Sequence, residues 1–352
     1  MSIVDVAYYG REQTAVKHQM LRKYLGPAAR IIGSFADCFV YVDCCSGPWN
    51  TATDDLSDTS FSIACEGLRA AREFLRSRNR TVEFRCLFIE EEALASARLQ
   101  QFCDSIDDIE IKPLQGDFTK KVDDILKFIG ERRNSFPFFF IDPTGWSPLA
   151  ITAIRPLLQR RPSEVLINFM TSHIKRFLES SSFETKFGPD YMQKVLGLSG
   201  QDRDDRAAYS FADEIRKFYP YTCTSVVLNP LRNQTHFHLI YGTRHPKGLE
   251  KFKEAEKSCF GFMEAARLDA QHRQEGEIGQ GTLFDLSQFK IGIFSNCGHT
   301  TSSKHFMRSM HKSARTRGPE NKRGGSPRAS PSCGNQICAT GGEHPPEWAP
   351  IL

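Results

Sequence analysis

Long hydrophobic runs are missing from this sequence, and this absence argues against a membrane-spanning helix. The longest apolar stretches, such as Phe136 to Ile141 and Val165 to Met170, are far shorter than the roughly 20 residues that cross a bilayer as a helix. The first residues, MSIVDVAYYGREQ, lack the basic end, apolar stretch and small-residue cleavage site of a secretory signal. We therefore expect a cytoplasmic protein without membrane contact.

Cysteine is present, but its spacing along the sequence does not indicate a disulfide framework or a zinc site. The 11 cysteines are spread irregularly along the chain, and no Cys-x-x-Cys pair occurs. Cys44 and Cys45 are adjacent, which is not a usual spacing of zinc ligands. We therefore expect reduced thiols, no disulfide framework and no metal site.

Neither sign of charge dominates, because 46 Lys and Arg residues balance 42 Asp and Glu residues to leave a net charge of +4. Beyond Phe289 the composition turns to Ser, Gly, Arg, Lys and Pro, with too few apolar residues to form a core. We expect residues 269–352 to form an irregular, largely disordered tail. That tail is either a solvated terminus or a basic segment that contacts the phosphates of a nucleic acid.

The order of apolar and amphipathic segments predicts an α/β fold. Apolar runs of strand length alternate with helical stretches, as in a parallel sheet with helices on both faces. An N-terminal helical segment, residues 1–34, has an apolar helical face between Thr14 and Leu25. The five predicted strands that follow it are Cys38 to Asp43, Phe84 to Ile89, Ile109 to Leu114, Phe136 to Ile141 and Val165 to Phe169.

The segments after the fifth strand narrow the fold class. Residues 172–218 are too long and polar for an ordinary connection, so we expect a helical insertion that caps the site. Cys223 to Leu228 and His236 to Thr243 are expected to pair antiparallel before a closing helix, Pro246 to Leu268. A mostly parallel sheet with an antiparallel terminal strand pair is typical of Rossmann-like class I methyltransferases, and residues 35–268 are predicted to form such a domain.

The end of the first predicted strand carries the strongest candidate for a ligand site, in the segment YVDCCSGPWN. Open parallel sheets bind ligands at the carboxyl ends of their strands, and Gly47 lets the backbone approach a ligand. Asp43 would hold the cationic amino group of S-adenosylmethionine, while amides of the turn that contains Ser46 and Gly47 contact its carboxylate end. The alternative is that Asp43 only caps the turn.

Acidic residues also end the second and third strands. Glu90 occupies the position from which a carboxylate accepts hydrogen bonds from both hydroxyls of a cofactor ribose. Glu91 and Glu92 are expected in the first turn of the next helix, facing water. Asp117 would accept a hydrogen bond from the adenine amino group, with Phe118 on the ring face, or would instead be an N-cap.

The fourth strand runs into the segment Asp142-Pro143-Thr144-Gly145-Trp146. An acid, a proline and an aromatic residue at a strand end are typical of the loop with which amino methyltransferases hold an exocyclic amine. Asp142 is therefore the leading candidate for orienting the nucleophile, and Trp146 for stacking on the acceptor.

Other polar groups have weaker support from the sequence. Asn168 ends the fifth strand, and His173, Lys175 and Arg176 follow it; they would line a substrate cleft or else belong to a solvated helix start. His18, on the first helix, is expected at the surface and not in catalysis.

These segments resemble the three-Cys-motif partner family (TcmP), whose members are similar to class I methyltransferases and are named for a neighbouring protein with three cysteines. The segments that carry the resemblance are YVDCCSGPW, DTSF, CLFIEEE, GDF, FFFIDPTGWSP, EVLINFMTSHIKRF and HFHLIYGTRHP. The resemblance implies S-adenosylmethionine as cofactor and a partner protein encoded nearby. By that resemblance, Asp43, Gly47, Glu90, Asp117 and Asp142 fall on cofactor and catalytic positions.

Two functions are predicted on these grounds. The first is an S-adenosylmethionine-dependent methyltransferase acting on an amine of a nucleic acid or of a partner protein. The second is a non-catalytic partner protein that keeps the methyltransferase fold as a scaffold. A dehydrogenase is disfavoured because no G-x-G-x-x-G follows the first strand.

Overall fold

The computed structural model describes residues 3–47, 51–143, 150–171 and 198–277. Its helices are α1 (Glu12–Gly33), α2 (Ser60–Arg76), α3 (Ala93–Asp104), α4 (Val122–Gly130), α5 (Ile151–Gln159), α6 (Gly200–Arg216) and α7 (Pro246–Glu277). Its strands are β1 (Cys38–Asp43), β2 (Glu83–Glu90), β3 (Glu110–Gln115), β4 (Ser135–Ile141), β5 (Glu164–Phe169), β6 (Tyr221–Leu228) and β7 (Thr235–Thr243). Short 3₁₀ turns lie at Val6–Tyr8 and Phe118–Lys120.

The strands form one seven-stranded sheet in the order β3-β2-β1-β4-β5-β7-β6. Strands β1 to β5 pair in parallel, and β7 runs antiparallel to both of its neighbours, β5 and β6. This arrangement confirms the predicted mostly parallel sheet with an antiparallel terminal pair. From β1, the strands β2 and β3 follow towards one edge of the sheet, and β4 and the later strands follow towards the other edge. The strand order therefore reverses between β1 and β4.

Each face of the sheet carries its own hydrophobic core, because strand side chains alternate between the two faces. In β1, Phe39 and Tyr41 share a core with α1, α2, α3 and α7, whereas Val40 and Val42 belong to the core with α4, α5 and α6. Helices therefore cover both faces, as predicted. Strands covered on both faces are apolar at nearly every position, which explains the continuous apolar run of β4.

Two helices are longer than the sequence predicts. The first helix begins at Glu12, close to the predicted Thr14, and continues to Gly33, well past the predicted Leu25. The last helix continues past Leu268 to Glu277, so it includes residues predicted to belong to the irregular tail. Packing contributes to the extension of α7, since Ala270, beyond the predicted end, is buried although the surrounding sequence is largely polar.

The predicted insertion over residues 172–218 lies only partly within the described residues. Its second half contains α6, in which Ala207, Phe211 and Ile215 recur every four residues and are buried in the core with α4 and α5. This helix packs against β6 and β7. The structure thus corrects the prediction for this half of the insertion, which covers the sheet instead of capping the site.

Among the described helices, none has both the length and the hydropathy that a bilayer span requires. The described cysteines are free thiols: Cys38, Cys44, Cys45, Cys65, Cys86, Cys103, Cys223 and Cys259. Within the described ranges, no group of three or more His, Cys, Asp or Glu side chains is arranged to hold a metal ion.

A buried polar network at Glu164 joins β5 to α1 and β7. Glu164 accepts hydrogen bonds from the Tyr24 hydroxyl at 2.6 Å and from Thr243 Oγ1 at 2.8 Å, and the Tyr24 and Tyr241 hydroxyls are 2.5 Å apart. Gly248 of α7 lies against this network. A Cβ at this position would come within 2.6 Å of Glu164 Oε1 and 2.8 Å of the Tyr241 hydroxyl, so only glycine fits without displacing the network.

Gly248→Ala is expected to lower the free energy of unfolding by about 1 to 3 kcal/mol because the added methyl group overpacks the network. Urea unfolding measures the change. Gly261→Ala is the matched control, since Gly261 lies on the same helix and open space surrounds its Cβ position. Alanine's higher helix propensity should make the control more stable by up to about 1 kcal/mol. Equal stabilities of the two variants would contradict the packing of Gly248.

Candidate functional site

A cleft of about 760 Å³, bounded by described residues, lies at the carboxyl ends of the parallel strands. It opens where strand order reverses between β1 and β4, the place where open α/β sheets bind ligands. Residues that follow β1 to β5 line it, together with polar residues from the first turns of α1: Gln13, Thr14, Lys17 and His18. Its volume falls within the range of small-molecule and cofactor sites.

Asp43, the last residue of β1, is fully buried and held by three donors. Its Oδ2 accepts hydrogen bonds from Ser60 Oγ at 2.6 Å and the Tyr41 hydroxyl at 3.3 Å, and its Oδ1 accepts one from the Cys45 backbone N at 3.2 Å. Burial raises the pKa of Asp43 to about 6; the hydrogen bonds from Ser60 and Cys45 oppose this shift, and the charge of Asp142 adds to it. The carboxylate thus lies just behind Ser60 and Cys45, which line the cleft.

Ser46 ties the loop after β1 to β2. Its hydroxyl donates to the Asp43 carbonyl at 2.9 Å and accepts from the Ile89 backbone N at 3.2 Å. Ser46 is buried outside the cleft lining, whereas Gly47 lies in it. Of the three residues predicted on this loop, the structure therefore brings Gly47 to the cleft and places Asp43 and Ser46 behind the lining.

Glu90 lines the cleft at the end of β2, with only 4% of its surface exposed. Its Oε1 accepts a hydrogen bond from the Glu92 backbone N at 2.7 Å. Glu92 itself is the N-cap of α3, and hydrogen bonds from the Leu94 and Ala95 backbone amides lower its pKa. Glu91 and Glu92 therefore precede the first turn of α3, in which they were predicted to lie, and Glu90 is the buried acid of the segment.

Asp117 lines the cleft beyond the end of β3. Its Oδ1 accepts hydrogen bonds from the Thr119 backbone N at 2.9 Å and the Thr119 hydroxyl at 2.7 Å, which makes it the N-cap of the 3₁₀ turn. The capping alternative is therefore what the structure shows, and it leaves Asp117 at the cleft. Gly116 supplies the turn with a positive φ of 134°.

Asp142 follows β4 and lies beside Asn168 of β5, because the register of the two strands aligns Ile141 with Ile167. Asn168 Nδ2 donates to Asp142 Oδ1 at 2.6 Å. Lys17 of α1 forms an ion pair with Asp142 Oδ2. Both carboxylate oxygens are therefore held by donors from separate elements, and all three of these polar side chains line the cleft.

His18 lines the cleft and is 5% exposed, so its predicted surface position is wrong. Its Nδ1 lies 2.9 Å from the Tyr8 hydroxyl. Burial, and then the charges of Lys17, Arg22 and Arg11, lower the pKa of His18 well below its ordinary value. The overlooked signal was the spacing of polar residues on α1, three and four apart on the side that meets the strand ends.

His18 is therefore expected to remain neutral through the pH range in which an ordinary imidazole, with a pKa of about 6.5, gains a proton. An NMR titration of the imidazole resonances measures this, and His18→Gln assigns the signal. A pKa at or above the ordinary value would contradict the burial of the ring among cationic neighbours.

An ion pair between Arg11 and Asp58 joins the start of α1 to the loop before α2. Asp58 also accepts hydrogen bonds from the Ala52 backbone N at 3.0 Å and from Thr53 Oγ1 at 2.8 Å. Both charged residues line the cleft. Sequence reasoning missed Arg11, because nothing local shows that its partner lies far along the chain.

Several predicted positions lie outside the described residues. They are Trp146 in the loop after β4, and His173, Lys175 and Arg176 after β5. Their predicted roles stay predictions.

The chain is similar to solved methyltransferase structures at low sequence identity. An O-methyltransferase from Bacillus cereus in complex with S-adenosylhomocysteine has 10% identity and a TM-score of 0.33, over 63% of this chain and 80% of that one. TomG, an O-methyltransferase from Streptomyces achromogenes involved in tomaymycin synthesis and in complex with S-adenosylmethionine, has 12% identity and a TM-score of 0.33, over 64% and 79%. A loganic acid methyltransferase with S-adenosylhomocysteine has 10% identity and a TM-score of 0.33, over 78% and 93%.

No family model matches the chain, and neither does any curated protein. The scores of the solved structures are too low to assign an activity or a ligand. The fold therefore rests on the strand order of the chain itself, and the resemblance to three-Cys-motif partner proteins stays a prediction.

Proposed function

We propose that this protein is an S-adenosylmethionine-dependent methyltransferase of the three-Cys-motif partner type that methylates an amine. One observation carries the proposal: Glu90, Asp117 and Asp142, which follow three different strands, line one cleft where the strand order reverses. Acids at separate places suit this cofactor, because its ribose, its adenine and the acceptor of its methyl group must each be positioned.

The residues present fit the cofactor. Glu90 would accept hydrogen bonds from the ribose hydroxyls. Asp117 Oδ2, which forms an exposed ion pair with Lys120 Nζ at 3.7 Å, would accept one from the adenine amino group. Gly47 allows the backbone to approach the methionine part, with the charge of Asp43 directly behind Cys45. When bound, the cofactor supplies a methyl group already activated on a sulfonium.

The chain's own contribution to catalysis is then mainly positioning. Asp142 accepts a hydrogen bond from the acceptor nitrogen and aims it along the cleft. Lys17 and Asn168 hold the Asp142 carboxylate, so it is already oriented before the acceptor binds. The residues of α1 line the cleft beside Asp142.

Asp142→Asn is expected to reduce methyl transfer about 100-fold or more, since the acceptor loses its alignment. The affinity for S-adenosylhomocysteine should stay within threefold of the wild-type value, a change of roughly 0.6 kcal/mol. The measurement is transfer of tritium from methyl-labelled S-adenosylmethionine to total RNA, DNA and protein fractions. Asp213→Asn, the same change at an exposed residue of α6, is the control and should keep full activity. Equal labelling by Asp142→Asn and wild type would remove Asp142 from the reaction.

A further inference from the structure

The end of the cleft around Asp142 and Asn168, the acceptor end, contains an amide oxygen that has no hydrogen-bond partner among the described residues. Asn168 is 2% exposed and lines the cleft, and its Nδ2 is used by Asp142 and lies 3.5 Å from Met170 Sδ. Its Oδ1 has no hydrogen-bond partner in the part of the chain that the structure describes. A buried acceptor left unsatisfied is costly, so this oxygen favours a ligand that brings an N–H or O–H donor.

Asp142 provides a second acceptor next to this one. The hydrogen bond between Asn168 Nδ2 and Asp142 Oδ1 keeps the two side chains in contact, and Asp142 is more exposed to the cleft than Asn168. Each carboxylate oxygen has room for a further donor beyond the one it already binds. An amino group with two N–H bonds can therefore donate to Asp142 and to Asn168 Oδ1 together.

Charge at this end of the cleft discriminates between kinds of amine. Lys17 and Arg11 are the cationic Lys and Arg side chains in the described lining, and each is paired with an acid, Asp142 or Asp58. Lys17 thus places a positive charge beside Asp142, with the buried Asp43 carboxylate behind Cys45 as a further acid near this pair. A second ammonium, such as that of a lysine side chain, would approach Asp142 against the repulsion of Lys17.

The remaining lining of this end suits a flat ring. Met170, His236 and Phe237 line the cleft next to Asn168, from the end of β5 and the start of β7. A thioether and two aromatic rings offer dispersion contacts to a planar π-system, and sulfur packs well against ring edges.

We propose that the acceptor subsite takes an uncharged amino group on a planar heteroaromatic ring, as in cytosine or adenine. This inference rests on the proposed function and specifies its substrate class. The acceptor nitrogen forms the bond to the methyl carbon, the electron pair of the breaking carbon–sulfur bond stays with sulfur, and the surplus proton leaves the nitrogen through its hydrogen bond to Asp142. Hydrogen bonds from both N–H groups raise the electron density on that nitrogen.

The test is calorimetric titration of the full chain with cytidine and with uridine, in which a carbonyl replaces the amino group. It is run with and without saturating S-adenosylhomocysteine. We expect cytidine to bind at least tenfold more tightly than uridine, roughly 1.4 kcal/mol. Single-stranded oligonucleotides of C and of U form the second arm: tighter binding of oligo-C than of cytidine identifies a nucleic acid as the source of the base, and equal affinity identifies a free nucleoside.

Asn168→Leu should abolish the preference for cytidine, because leucine keeps the volume but removes the acceptor. Asp142→Asn is a second variant for the case in which Asn168→Leu does not fold, and Gln100→Leu, at an exposed amide of α3, is the control. Equal affinities for cytidine and uridine, or stronger binding of Nα-acetyl-lysine methylamide, would overturn the inference. Such a result together with normal S-adenosylhomocysteine binding would leave the proposed function standing, whereas loss of S-adenosylhomocysteine binding in the wild type would refute that function separately.

Discussion

Asp43→Asn is expected to make the free protein more stable at pH 8, by about 2 kcal/mol. The carboxylate is fully buried, and its pKa is raised from 3.8 to about 6. That shift corresponds to a cost of ionisation on the order of 3 kcal/mol in the folded state. An asparagine has the same shape and no charge, and the Ser60 and Tyr41 hydroxyls can reverse to accept from its amide. Part of the gain is lost because hydrogen bonds to a neutral acceptor are weaker.

The pH dependence of this effect has a definite sign. The folded protein binds the Asp43 proton more tightly than the unfolded chain does, so the contribution of Asp43 to stability is fully present below pH 3.8 and is lost as pH rises through about 6. The stability advantage of Asp43→Asn should therefore grow between these pH values and level off above them.

Urea unfolding at several pH values measures the advantage of Asp43→Asn. The matched control is Asp124→Asn on α4, at a half-exposed carboxylate, where the change should stay within about 0.5 kcal/mol. An Asp43→Asn variant that is less stable than the wild type at pH 8 would contradict the burial of an ionised carboxylate. A gain in stability with a loss of cofactor affinity would identify Asp43 as a residue kept for function at the expense of stability.

Glu90→Gln is expected to weaken S-adenosylhomocysteine binding about 100-fold, roughly 2.7 kcal/mol, because two charge-assisted hydrogen bonds to the ribose become neutral ones or are lost. Glutamine keeps the volume and can still accept from the Glu92 backbone N, so the loop after β2 should keep its shape.

The adjacent acid provides the control for this variant. Glu91 also lines the cleft but is exposed, so Glu91→Gln should change the affinity less than threefold. Similar losses in both variants would mean that the general negative charge of the segment matters and that Glu90 makes no specific contact.

The sequence predicted the centre of the sheet well because β1, β2, β4 and β5 are buried on both faces and therefore form nearly continuous apolar runs. Since parallel strands end at one edge of the sheet, the positions of Glu90, Asp117 and Asp142 along the chain were enough to predict that they meet. The antiparallel pair of β6 and β7 followed from the two runs and the turn residues between them.

The contacts that complete the cleft could not be predicted, because they join residues far apart in sequence. Nothing near Lys17 shows that it pairs with Asp142, and nothing near Ser60 shows that its hydroxyl holds Asp43. The burial of Ser46 depends on a hydrogen bond to β2. These are properties of the packed chain and not of local pattern.

The most direct test of the central claim is calorimetric titration of the wild-type protein with S-adenosylhomocysteine and S-adenosylmethionine, with its fold verified by circular dichroism. We predict micromolar, one-to-one binding of both ligands. A folded protein that binds neither ligand at millimolar concentration would contradict the claim, and the fold would then serve as a scaffold for a partner protein.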